Sequence, residues 1–559
     1  MKLDEIPAIL KEVERALEAE VLSPQGEVAV QKLLNLVEQL VADQRTTLAE
    51  VQRLKELLEE KKRKKTTTAS APPSPDTAAD HSSEKQRRER QPPATKAAID
   101  RRSFKDLVIH EERPCPVDPQ QLPPDAQRCA DELVVVQDIR IEAHNIRFLR
   151  HVYYSPSRGQ FFRGPLPPGY DAGDFGAELR SLIIALKYCG NMSEPKIREL
   201  LDNFDVQISA GSVSHVLTDT ADELADDYRE IFLAGLGTTA YQQTDDTSAR
   251  VAGEFWHTHI LCNPFYTLYA THPHKNRLTI LAVLQHARTD ELQYRFDATT
   301  RQWLAEWELP QKWQDRVAEL GDCTLAAAEL KTLLDAWFGE DREPQARLDI
   351  EQTAAIIYYR QQTAVPVVPT LVCDDAAQFK SITENLALCW VHDGRHYARL
   401  TPVVPSHAEQ LRTFQKRYWD NYAKLQRYRD GPSEEQAAAL REEFATLFST
   451  HTGYDALDAR IAKTLAKSAG LLTVLSHPEV PLHNNDSELG ARVSARRRDV
   501  SLHSKSARGA RSMDIFTTVV QTCKKLGESA YRYLRARLLH LPDHPRLATL
   551  IRAAAAASG

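Results

Sequence analysis

The chain has no Cys-x-x-Cys pair. Its eight cysteines stand apart at positions 115, 129, 189, 262, 323, 373, 389 and 523. That scatter argues against a disulfide framework and fits a reducing cytosol. No apolar run approaches the roughly 20 residues that a membrane-spanning helix needs. The opening MKLDEIPAIL lacks the basic-then-apolar pattern of a secretory leader. The expectation is a cytoplasmic protein with no membrane partner. A positive net charge is missing too, since the formal charge is −7 and the pI about 6.3. As a total this argues weakly against nucleic-acid binding. Clustering matters more than totals, however, and the basic side chains here are strongly clustered.

The 559 residues are 42% hydrophobic, enough for about three or four domains with real cores. Residues 1–65 are helical by period. Leu33, Val37, Leu40, Val51, Leu54 and Leu58 fall on the a/d grid of a heptad, with Gln44 and Thr47 as polar interruptions. This predicts a coiled coil, and through it a homodimer or higher oligomer. Five basic residues at 61–65 close the helix, as a C-terminal cap or as a nucleic-acid arm. Residues 66–103 are Ser, Thr, Pro, Ala and charge, and read as a disordered linker. From 104 to 173 the runs 133–136, 139–141, 147–149 and 151–154 predict a small β-rich region. His110, Cys115 and Cys129 there suggest a metal knuckle, but the spacing is wrong for a closed zinc site, and zinc is not expected. Residues 174–235 read as helices over 175–188 and 193–204 and a third capped by Ser209 or Ser212. The second and third have the spacing of a helix-turn-helix.

A β-rich block follows, with strands near 239–244, 255–261 and 266–270, then a helix over 277–285. Residues 289–364 read as helical and unlike a sheet domain. An aliphatic strand covers 367–373. Residues 401–478 are helical again, broken at Gly431-Pro432-Ser433, and Phe414, Tyr418 and Tyr422 form a stripe expected in the core.

Three acidic positions stand out. Asp245 or Asp246 ends the first strand, Asp374 or Asp375 ends a later one, and Glu488 opens a late helix that Asp486 or Ser487 can cap. Magnesium is usually held by a few carboxylates with substrate phosphate and water, and a pair of such ions suits phosphoryl transfer. Adjacent strand residues face opposite sides, so either aspartate of each pair could point into a site. A basic strip follows the glutamate: Arg492, Arg496, Arg497, Arg498, Lys505, Arg508 and Arg511 against the single acid Asp499. Such a strip attracts phosphates, and a divalent cation would reconcile them with the acid. Cys389 and His392 read as a structural pair bracing a strand-to-helix junction, since two ligands, or three with His396, do not close a zinc site.

The segments QTDDTSAR, LVCDDAAQF with CWVH after it, and LHNNDSELGARV resemble those of bacterial DDE transposases of the insertion-sequence family numbered sixty-six. LPPGY at 166–170 is similar to a landmark of that family. The likeness covers most of residues 130–530. It implies a multidomain α+β fold. Its RNase H-like α/β catalytic core would lie in three parts, at 236–288, 365–400 and 479–530. Helical insertions would fill 289–364 and 401–478. The helix-turn-helix-like region is placed at 174–235, a degenerate zinc-ribbon-like region at 104–173, the coiled coil at 1–65 and a C-terminal helical tail at 531–559. The resemblance picks the first aspartate of each pair, so Asp245, Asp374 and Glu488 are the implied catalytic residues and metal ligands for two Mg²⁺ (or Mn²⁺) ions. Arg492, Arg496, Arg497, Arg498, Lys505 and Arg508 would hold double-stranded DNA, both transposon ends and target. The implied function is metal-dependent strand cleavage at terminal inverted repeats and strand transfer, in the nucleoid-associated bacterial cytosol. The alternative is a domesticated or inactive relative that only binds DNA.

Overall fold

The computed structural model describes residues 6–18, 22–64, 108–118, 123, 126, 132–171, 173–339 and 343–558. The linker expected at 66–103, and Cys129, lie outside the described residues. The chain divides into a main body, Met1–Asp43 with His144–Gly559, and a second unit, Gln44–Ala143.

Helices α1 (Ile6–Glu18) and α2 (Pro24–Lys64) begin the chain. Ile6 and Leu10 of α1 cluster with Leu34 and Val41 of α2, and with Val403 and Val404; Val30 and Val37 pack against that cluster. The buried face of α2 is therefore not the predicted heptad seam. The two share only Val37, while Leu33 and Leu40 are 60% and 59% exposed. In the second unit, the runs 133–136 and 139–141 form no strand. Leu133, Val134 and Val136 are 91%, 75% and 80% exposed. β-branched residues favour strands only where a pleated surface is half-buried, and these have nothing to cover them. The run 147–149, in the main body, forms no strand either. The predicted β-rich region reduces, among the described residues, to one hairpin of β1 (Val152–Ser155) and β2 (Gln160–Arg163).

Four helices follow: α3 (Ala177–Tyr188), α4 (Glu194–Asp202), α5 (Ala210–Glu223) and α6 (Ala225–Leu236). Ser209 caps α5 by accepting the N–H of Ser212. Next comes a meander of β3 (Tyr241–Val251), β4 (Glu254–Asn263) and β5 (Tyr266–His272), then α7 (Arg277–Gln285), which matches its predicted bounds. The β3–β4 turn is two residues, Ala252 and Gly253, at φ 51° and 89°. Two positive φ angles are what a tight twisted hairpin requires. This turn carries β3 past Asp245 and Asp246, which were expected at its end.

The segment 289–364 is not wholly helical. β6 (Gln293–Phe296) pairs antiparallel with β7 (Cys323–Ala326), among α8 (Ala298–Glu306), α9 (Gln311–Glu319), α10 (Ala327–Phe338) and α11 (Pro344–Gln361). Four residues are too few for period 2 to declare itself in sequence. β8 (Thr370–Cys373) then runs parallel to β3, and β9 (Asn385–Leu388) parallel to β8, giving a mixed sheet of order β5-β4-β3-β8-β9. β8 is buried throughout, as a parallel strand covered on both faces must be.

After α12 (Trp390–Ala398) come α13 (Pro405–Tyr428), α14 (Glu434–Phe448) and α15 (Asp455–Leu465). Phe414 and Tyr418 are buried as expected, and the Tyr418 hydroxyl donates to the Trp390 carbonyl at 2.8 Å. Finally α16 (Asn485–Ser501) lies on β3 and β4, and α17 (Ala507–Leu526) on β5. Gly490 permits the first contact, because a Cβ there would stand 2.8 Å from Cγ2 of Ile260. The tail expected at 531–559 is α18 (Ala530–Leu538) and α19 (Leu547–Ser558), which pack on α3 and α6 respectively. No helix among the described residues is long and apolar enough to cross a membrane.

Candidate metal centre

Register brings the two aspartates together. β3 and β8 pair Tyr241 with Thr370 and Gln243 with Val372. Carried two residues beyond its last pair, that register sets Asp245 of β3 opposite Asp374, the residue that follows the end of β8. Burial, aided by the charges of Asp246, Asp374 and Glu488, pushes the Asp245 carboxyl up to about 7 against the lowering effect of the Asp246 N–H. An acidic cluster of this kind is stabilised by a cation, although among the described residues the ligand atoms of Asp245, Asp374 and Glu488 do not all lie within 4.8 Å of one another, so closing around an ion requires side-chain movement.

The LHNN segment delivers the third acid. The Trp390 N–H donates to the Leu482 carbonyl at 2.9 Å, Asn484 Nδ2 to the Thr244 carbonyl at 3.4 Å, and the Asp486 N–H to Gln243 Oε1 at 3.2 Å. The helix begins one residue earlier than its predicted caps. Asn484 is the N-cap position, and Asp486 and Ser487 lie inside the first turn. Glu488 is thereby 7% exposed. Its Oε2 accepts from Arg395 Nη2 at 3.2 Å, and its Oε1 lies 3.7 Å from His392 Nδ1. Burial and the Arg395 charge lower the His392 imidazole below its ordinary value, although Glu488 and Asp374 pull the other way.

The second aspartate of each pair meets lysine instead. Asp246 Oδ2 is 3.3 Å from Lys275 Nζ and 3.9 Å from His257 Nδ1. Asp375 lies 2.6 Å from Lys467 and 3.6 Å from Lys380. A cleft of about 500 Å³ opens beside Asp374, with Arg395, Arg399, Arg460 and Lys467 in its walls. Sequence reading missed these cations, because they come from α12 and from the end of α15 rather than from one run.

The predicted basic strip is broken up by helical rotation. Arg497 points inward at 4% exposure; its Nη1 donates to Thr517 Oγ1, and its guanidinium stacks 4.7 Å over Tyr188. Arg498 is half-buried, donating to Thr247 Oγ1 at 3.0 Å and to the Ser248 carbonyl. Arg508 is exposed but ion-paired with Asp219 and Asp222, at 2.8 and 2.7 Å. Arg492 is half-buried, and of the six Arg496, Lys505 and the ion-paired Arg508 are exposed. Arg497 therefore cannot reach a phosphate, contrary to expectation.

Cys389 does sit at the strand-to-helix junction, with its N–H donating to the Cys373 carbonyl at 2.9 Å. Its sulfur, a His392 nitrogen and a Glu488 oxygen all lie within 4.8 Å of one another. His396 is exposed. His110 and Cys115 are exposed in irregular chain, and no metal cluster forms around them among the described residues.

Comparison with known proteins places this geometry. Residues 355–512 match the model of the family described as "Transposase IS66 family". That span includes Asp374, Cys389, His392 and Glu488 but not Asp245. The chain is also 30% identical over 315 residues to an uncharacterized protein, y4jO, of Sinorhizobium fredii (strain NBRC 101917 / NGR234). The alignment covers 55% of this chain and 94% of that protein.

Proposed function

This chain belongs to the IS66 transposase family, and from that premise we propose that it is a DDE transposase that cleaves terminal inverted repeats and joins the freed ends to target DNA. The family implies DNA binding and dependence on a divalent metal. The observation that carries the finer reading is that Asp245 on β3 feels the charges of Asp374, just past β8, and of Glu488, in the first turn of α16. The order β5-β4-β3-β8-β9, three antiparallel strands continued by two parallel ones, supports an RNase H-like core. Asp245, Asp374 and Glu488 would hold Mg²⁺ or Mn²⁺. Bound there, two such ions supply activation of an attacking oxygen and stabilisation of a leaving one.

The chain's own residues do the positioning. Arg395 fixes the Glu488 carboxylate, and Lys275 and Lys467 occupy the spare carboxylates of Asp246 and Asp375. Exposed Arg496 and Lys505, with Arg399 on the cleft wall, offer positive charge to a phosphodiester backbone. The exposed heptad seam of α2 supports self-association, and α4 with α5 is the helix pair suited to DNA recognition.

The test is Mg²⁺-dependent cleavage and joining on a labelled terminal repeat, beside a binding assay. Glu488→Gln, Asp245→Asn and Asp374→Asn should each cut activity by a factor on the order of 10³ or more while binding persists. Asp246→Asn and Asp375→Asn should be milder. Near-parent cleavage by Glu488→Gln would sink the reading. A parent chain that binds ends and never cuts them, in any divalent metal, would favour the inactive relative.

A further inference from the structure

We propose that Cys389, His392 and Glu488 form a site for one thiophilic divalent cation of the Zn²⁺ class, beside the carboxylate site and sharing Glu488 with it. The proposal rests on the preceding reading only through that shared side chain. From sequence, Cys389 and His392 were two ligands without a third. The fold brings in the third, Glu488, which stands 96 positions after His392 in the chain.

Three observations converge. First, sulfur, nitrogen and oxygen donors lie within 4.8 Å of one another. Ligands at about 2.0–2.3 Å from a tetrahedral zinc stand roughly 3.3–3.8 Å apart, so closing the site needs side-chain movement of about an ångström. Second, the carboxylate and the imidazole are not fully satisfied, although the Cys389 sulfur faces the N–H groups of Asn484, His392 and Val391. Glu488 is more than nine-tenths buried, and while Oε2 is held by Arg395, Oε1 has no hydrogen-bond partner. His392 Nδ1, 3.7 Å away, makes no hydrogen bond of good geometry either, although the Asn484 side chain at the N-cap of the same helix lies beside the imidazole. Buried polar atoms are rarely left so, because each costs about 1–3 kcal/mol. A cation among these electron-pair donors satisfies them together. Third, Cys389 and His392 stand three apart at the start of α12 and so share a face. Both line the 500 Å³ cleft, which leaves the fourth position open to water.

A thiolate selects against Mg²⁺, which takes oxygen donors. The two sites are therefore separable by metal type, and filling this one draws Glu488 Oε1 away from the carboxylate site.

The experiment titrates Co²⁺ into the chelator-treated full chain and reads the absorption spectrum. One equivalent should give a near-ultraviolet sulfur-to-cobalt charge-transfer band. Equimolar Zn²⁺ should abolish it, and a large excess of Mg²⁺ should not. Cys389→Ser should remove the band, and His392→Ala should weaken Co²⁺ binding by about 100-fold or more. Glu488→Gln should weaken it by at least about tenfold with the band retained, and Asp245→Asn should leave it unchanged. Absence of the band in the parent chain, its survival in Cys389→Ser, or its loss in Asp245→Asn overturns the proposal. If the chain fails to cleave DNA yet shows the band, only the transposase reading falls.

Discussion

Arg497 lies between Tyr188 and Thr517, with almost none of its surface in water. Truncating it would leave a void and remove the donor to the Thr517 hydroxyl, which would keep only its own bond to the Met513 carbonyl. We expect Arg497→Ala to lower the unfolding free energy by about 2–4 kcal/mol, as breaking a buried polar contact does, and to leave the salt dependence of DNA binding alone. Arg496→Ala and Lys505→Ala should do the reverse. Each would keep stability and flatten the slope of log K against log salt by about one unit. Denaturant melts and salt titrations distinguish these, and an Arg497→Ala chain as stable as the parent would refute the assignment. Asp514 offers a second test. It accepts the N–H and the hydroxyl of Thr271, at 2.8 and 2.7 Å, yet burial pushes its carboxyl up from 3.8 to about 7. A raised acid favours the fold while protonated. Its contribution is complete below the ordinary value and is lost as pH rises to about 7. Asp514→Asn should therefore gain on the parent between pH 5 and pH 8, by on the order of 1–3 kcal/mol. A stability difference that ignores pH would count against it.

Among the elements, α2 docks on the start of α13 through the cluster of Leu34 and Val41 with Val403 and Val404, a Gln31–His407 contact and one buried carboxylate. Glu38, 8% exposed, accepts the N–H groups of Val403 and Val404 at 2.9 and 2.7 Å and lies 3.3 Å from His407 Nδ1. Burial alone would raise this carboxyl. The His407 contact and the two amides outweigh burial and hold it below 4.5. A depressed acid stabilises above its ordinary value, and that support is lost as pH falls through the folded one. Glu38→Ala should loosen this docking by about 2–3 kcal/mol, because two buried N–H groups lose their acceptor. Amide exchange over 24–43 and 403–407 should then speed up by roughly 30–100-fold, with β3 and β8 protected as before. Acid below pH 4.5 should loosen the same segments first in the parent. Uniform acceleration across the sheet would show that Glu38 supports the whole fold instead.

For the whole molecule, assembly is the open quantity. Leu33, Leu40, Val51, Leu54 and Leu58 keep 42–60% of their surface exposed along α2, and an apolar heptad seam is stabilised by a matching one. The triple substitution Val51→Glu, Leu54→Glu, Leu58→Glu should turn an oligomeric chain monomeric at about micromolar concentration. Its melting should barely change, because exposed positions contribute little to the fold. Sedimentation decides the matter, and a parent chain that is monomeric with and without DNA would remove the seam's role.

Short-range features were legible in the sequence because they depend on neighbours a few residues away. Helix α7, the Ser209 cap, the break at Gly431-Pro432-Ser433, the β3–β5 meander and the three acidic motifs belong to this class. Long-range facing was not legible. That β3 runs on past Asp246 follows from its pairing with β4, and the levelling of Asp245 with Asp374 from its register against β8. The 3.6-residue rotation of α16 against the sheet and α17 buried Arg497 and left Arg496 outside. On α2 the packed face was chosen by α1 and Val403–404, not by the heptad, and the runs 133–136 and 139–141 stayed irregular, with no layer among the described residues of their unit to cover them. Tertiary structure alone gave Cys389 and His392 a third donor in Glu488, because a ligand set is a statement about distance in space, and chain spacing bounds that distance only over a few residues.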